Sequence, residues 1–100
     1  MAREAVGFIE VYGYSPAILA ADTALKTADV DLTAIETTRG KAGSPGLVVL
    51  VKLRGSVDAV KAAVEAGAEK AANYTEVIAS NVIARPDSSL ASVVDYSNVK

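Results

Sequence analysis

Between Ala5 and Tyr12 (AVGFIEVY) the apolar residues Val6, Phe8, Ile9 and Val11 are interrupted by a single charge, and Gly13 closes the run. A short stretch this rich in β-formers predicts a strand. From Ser15 onward the spacing lengthens: Ala17, Ile18, Ala21, Leu25 and Ala28 recur at helical intervals. This predicts a helix running to about Ala28, with Ser15 as its N-cap and Pro16 as its first residue. Asp22 and Lys26 fall on its other face, four apart with the acid first, the favourable order for a weak surface pair. Val30 to Thr38 sets Val30, Leu32 and Ala34 against Asp31 and Thr33, the two-residue period of a half-buried strand. Three glycines and a proline within the eight residues Arg39 to Gly46 forbid regular structure there and predict a loop. Leu47 to Leu53 (LVVLVKL) is almost unbroken aliphatic, as expected of a strand covered along most of its length.

Ser56 is placed to cap a second helix, whose stripe of Val57, Val60, Val64, Gly67, Ala68 and Ala71 ends near Ala72. Asp58, Lys61, Glu65, Glu69 and Lys70 form its water-facing side. Glu76 to Ala84 carries Val77, Ile78, Val82 and Ile83 and predicts a fourth strand, stopped by Arg85-Pro86. Leu90, Val93 and Val94 in the serine-rich remainder suggest one or two docked helical turns. The order β-α-β-β-α-β predicts an α+β domain, a four-stranded antiparallel sheet with two helices packed on one face. Glycine precedes an Ala-x-x-Ala-Ala run by four residues both at Gly13 and at Gly55, a faint internal echo that fits two related halves.

At 100 residues and 10.2 kDa the chain is one domain, with a folded surface of about 5,300 Å² expected for its mass. Only five residues are aromatic, so the core is built from alanine, valine, isoleucine and leucine and its layers must approach closely. Without Cys or His, thiolate chemistry, imidazole bases, Cys/His zinc sites and Ser-His-Asp triads are excluded. Ten basic against twelve acidic residues is the wrong balance for a phosphate backbone, so no nucleic acid partner is expected. The expectations are also no membrane, since no apolar run approaches a span of about 20 residues, no metal and no other cofactor, and a cytoplasmic location. Glu10 and Glu36 sit in strands whose separation the sequence leaves open, and Ser44 has no identifiable base. The glycine loop leads into a strand, whereas a phosphate cradle needs a helix N-terminus behind it. No catalytic residue is assigned and no enzyme activity is expected.

Several segments in register nevertheless resemble a known family. Glu4-Ala-Val-Gly-Phe-Ile-Glu-Val-x-Gly13, Ala17-Ile-x-Ala-Ala-Asp22-x-x-x-Lys26, Gly43-Ser-x-Gly-Leu47, Arg54-Gly, Val60-x-Ala-Ala-Val-x-Ala-Gly-Ala68 and Val82-Ile-x-Arg-Pro86 are similar to bacterial microcompartment shell proteins of the single-domain, hexamer-forming class. The resemblance covers residues 4–87 in the family's order, leaving 88–100 as a C-terminal tail. It implies the same β-α-β-β-α-β domain, six copies of which close into a disc with a central pore, the discs tiling into a shell around metabolic enzymes. The implied partners are further copies of the chain, other shell proteins, the encapsulated enzymes and small metabolites crossing the pore.

The resemblance also assigns positions. Lys26 matches an edge lysine that meets its counterpart on the adjoining disc, Asp22 would orient it, and Arg85 matches an edge arginine reaching over the same boundary. Asp29 stands where many relatives have asparagine. The pore would be lined by Arg39, Gly40, Lys41, Ala42, Gly43 and Ser44, but relatives commonly have a shorter loop of the Lys-Ile-Gly-Ser-Gly type. Here Arg39-Gly-Lys-Ala precedes Gly43-Ser44 and Pro45 breaks the motif after them, so a differently shaped, cationic opening is expected. The competing expectation is a small ferredoxin-like domain that binds a regulatory ligand, because the fold alone does not fix function.

Overall fold

The computed structural model describes residues 4–99. Strands β1 (Ala5–Tyr12), β2 (Val30–Arg39), β3 (Leu47–Gly55) and β4 (Val77–Ile83) form one sheet in the order β2-β3-β1-β4. Every neighbouring pair is antiparallel. Helices α1 (Tyr14–Thr27) and α2 (Val57–Ala72) cross between them, so the predicted element order and α+β class are those observed. A 3-10 turn at Ser88–Leu90 leads into the single-turn helix α3 (Ala91–Val94).

The core lies between the helices and one face of the sheet. Ile9 and Val11 of β1, Val49, Val51 and Leu53 of β3, and Val60 and Val64 of α2 fill it. From α1 it receives only alanines: Ala17, Ala20, Ala21 and Ala24. The helix is therefore rotated from the predicted stripe, and Ile18 and Leu25 lie at the surface, 39% and 41% exposed. Closeness is the reason. A Cβ at Gly67 of α2 would sit 2.8 Å from the Ala20 carbonyl oxygen, so this crossing has room only for the smallest residues.

Two local expectations are corrected. The N-cap of α1 is Gly13, with φ 93°, rather than Ser15. A positive φ is what glycine tolerates best, and it moves Pro16 to the third helical position, where the missing N–H is one the helix leaves unpaired anyway. In β2 the register shifts between Leu32 and Ala34. An extra residue flips the side-chain alternation: Ile35 joins the core, while Ala34 lies opposite Lys52 on the far face. Ser56 caps α2 as expected, its Oγ accepting from Ala59 N at 3.2 Å. Of the apolar tail residues only Val94 is buried; Leu90 and Val93 are exposed. Lys100, the last residue of the predicted tail, lies outside the described residues.

Candidate functional site

The loop between β2 and β3 occupies one end of the sheet, continuing from Arg39, which pairs with Leu47 at the end of the ladder. Ser44 N donates to Lys41 O at 2.9 Å, closing a four-residue turn. Gly43 in its third position has φ 85°, a left-handed conformation that glycine adopts without steric cost. Gly40 is confined: a side chain there would collide with Ser44 Oγ and Gly46 O. Arg39, Lys41, Ala42 and Gly43 are exposed, Gly40 and Ser44 half-buried, and the loop frames an open depression of about 400 Å³. The six predicted loop residues are thus contiguous, with two cationic side chains in water and no acidic residue among them.

The other predicted positions gather at the opposite end. β1 and β2 begin there and β3 and β4 finish there, as the pairs Val30–Gly55, Ala5–Gly55 and Val6–Ile83 require. Lys26 is in the last turn of α1, Asp29 immediately precedes β2, and Arg85 follows β4 two residues after Ile83. Lys26 Nζ and Asp22 Oδ2 form an ion pair at 3.0 Å, with the lysine side chain 77% exposed. Such a pair adds little stability in water, but it holds the lysine stem along the helix. Asp29 and Arg85 are also exposed. The eight residues of β1 span about 26 Å, which separates the two ends.

The far face of the sheet holds a residue that the hydrophobic pattern conceals. Lys52, inside the aliphatic run of β3, is 1% exposed. Its Nζ donates to Val93 O at 2.8 Å and Tyr96 O at 2.9 Å and pairs with Glu36 Oε1 at 2.9 Å. All three ammonium protons therefore have acceptors, which is what allows a charge to be buried there. Glu10 and Glu36 both lie opposite Leu50, on either side of it, and Glu36 is engaged by Lys52. The signal in the sequence was the lone charge within the aliphatic run Leu47 to Leu53. Among the described residues no group of three or more acidic side chains could hold a metal ion, and no helix is long and apolar enough to cross a membrane.

Comparison with known proteins bears on what this arrangement belongs to. The BMC domain family model matches residues 5–86. The bacterial microcompartment shell protein PduA of Citrobacter freundii is 49% identical over 86 residues, covering 86% of each chain. The carboxysome shell protein CcmK2 of a Synechocystis strain is 42% identical over 88 residues, covering 86% of this chain and 80% of its own. A crystal structure of a microcompartments protein from Desulfitobacterium hafniense DCB superposes with a TM-score of 0.76 at 28% identity, over 99% of this chain and 51% of that longer one. With the fold, the element order and relatives of this similarity in agreement, the chain belongs to the BMC domain family of bacterial microcompartment shell proteins.

Proposed function

We propose that six copies of this chain close into a ring whose central opening is lined by Arg39 to Ser44, and that the rings tile edge to edge through Lys26, Asp22, Asp29 and Arg85. The observation that carries this reading is the separation of the two groups to opposite ends of one sheet. A single radial orientation of the protomer puts the loop at the axis and the other residues at the rim. The exposed stripe of Tyr14, Ile18 and Leu25 on α1 supports self-association.

Sixfold repetition turns each loop side chain into a ring of six. Lys41 ammoniums about 8 Å apart would repel by about 0.5 kcal/mol per pair in water, less in salt, a cost that a hydrated rim tolerates. The opening then favours anionic metabolites. At the rim the Lys26 stem packs against its counterpart while the ammonium donates to backbone carbonyls, and the planar fork of Arg85 suits similar acceptors. Residues 4–87 form the tiling domain and 88–100 an appended tail. The protein serves in the shell of a microcompartment in the cytoplasm, alongside other shell proteins and around metabolic enzymes, with no turnover of its own. Electron microscopy of assembled sheets tests this. Density for residues 39–46 should converge on a sixfold axis, and placement of that loop at the boundary between rings would refute the orientation.

A further inference from the structure

Residues 88–99 belong neither to the loop nor to the rim, yet they are tied into the sheet along its far face. That face has a buried patch of its own: Val6 and Ala34 are 0% and 5% exposed but lie outside the core under the helices. The segment itself brings little apolar surface. Val94 is buried and Val99 half-buried, whereas Leu90, Val93 and Tyr96 are exposed. Polar contacts must therefore offset much of the entropy lost in ordering it. Most of them are open to water. Arg54 Nη2 donates to Asp95 Oδ1 at 3.0 Å, with the aspartate side chain 57% exposed. Asn98 Oδ1 accepts from Thr37 N and its Nδ2 donates to Thr37 O, each at 2.8 Å and exposed. Ser97 Oγ accepts from Ile35 N at 3.3 Å and donates to Ile35 O at 2.7 Å, part-buried. Water replaces partners of this kind at small net cost.

Lys52 is the exception. Its ammonium lies beneath the segment and donates to the Val93 and Tyr96 carbonyls, with Glu36 as its third partner. If the segment lifts, the ammonium meets water and keeps Glu36 beside it. An apolar side chain at this position would leave two carbonyls and a carboxylate without their cation, a penalty incurred only while the segment is docked. We propose that residues 88–99 are a strap that docks on the far face and releases as a unit, and that Lys52 is the latch that decides between the two states. The helix-side core is the same in both, because the strap contributes to it only the edge residue Val99. Docking also braces β2 at Thr37, close to where the strand passes into the loop at Arg39. Both states belong to a single chain, so the latch stands or falls independently of the ring.

The test is native-state amide hydrogen exchange on the full chain, as wild type, as Lys52→Met and as the double variant Lys52→Met with Glu36→Gln. In the wild type the amides of Ile35, Thr37, Asp95 and Tyr96 should share one opening and exchange at least about tenfold faster than the protected amides of β1 and β3. Lys52→Met should accelerate those four together by about tenfold or more while β1 and β3 keep their wild-type rates. The double variant should stay as fast as Lys52→Met, since the strap carbonyls still lack their donor. A wild type in which the four amides open only with β1 and β3 would overturn the separate strap. Unchanged exchange at Asp95 and Tyr96 in Lys52→Met would overturn the latch. Return of the double variant to wild-type protection would also overturn it, by tracing the effect to the stranded Glu36 carboxylate and not to the strap.

Discussion

Gly67→Ala sets two effects of known sign against each other at the place where α1 and α2 touch. Helix propensity alone would make alanine more stable by about 1 kcal/mol in the interior of α2. The added Cβ, however, would lie 2.7 Å from Ile9 Cδ1 and 2.8 Å from the Ala20 carbonyl oxygen. The isoleucine methyl can turn aside only into a core that is already filled, and the carbonyl belongs to the backbone of α1, so the helix itself must move. Overpacking of this kind costs about 1–3 kcal/mol, with displaced backbone toward the upper end. The net expectation is destabilisation by about 1–2 kcal/mol. Urea unfolding followed by far-ultraviolet circular dichroism reads it directly, at one fixed protein concentration because association contributes to apparent stability. Ala66→Gly, one position away on the same helix, calibrates the propensity effect and should cost about 1 kcal/mol. A Gly67→Ala protein more stable than wild type would refute the reasoning that close approach at Ala20 dictates the alanine face of α1.

Lys26→Ala should leave the rings intact in solution while abolishing extended sheets, checked by negative-stain imaging beside native mass; loss of the ring itself would mean that Lys26 is misplaced. Lys41→Glu should reverse the charge of the opening and shift the conductance of reconstituted rings toward cations, and unchanged selectivity would count against the cationic pore. Ser56→Ala removes the side-chain acceptor of Ala59 N and should lower unfolding stability by about 1 kcal/mol; no change would mean that the cap contributes nothing to α2.

The elements were legible in the sequence because their periods were strong. The strand before Gly13, the aliphatic run of β3 and the Ser56 cap stand where their patterns pointed. Helix orientation was less legible. Reading the bulkier Ile18 and Leu25 as buried follows from hydrophobicity, but the packing distance against Gly67 selects for size, and a single helix does not display its partner's closeness. The register shift near Thr33 was invisible for a related reason: one extra residue changes no composition, yet it reverses which of Ala34 and Ile35 meets the helices. Lys52 was masked by its neighbours, since its three acceptors come from Glu36 and from tail carbonyls far along the chain. Of the candidate site, the loop residues were contiguous from the start. That Lys26, Asp29 and Arg85 share the far end of the sheet emerges only from the antiparallel topology.

The most direct test is the native mass of the purified 100-residue chain across a range of concentrations. The proposed ring predicts a dominant species of six times the 10.2 kDa protomer mass, persisting on dilution and growing into sheets when concentrated. A particle that remains a single protomer at high concentration, or stops at a dimer or tetramer, would contradict it.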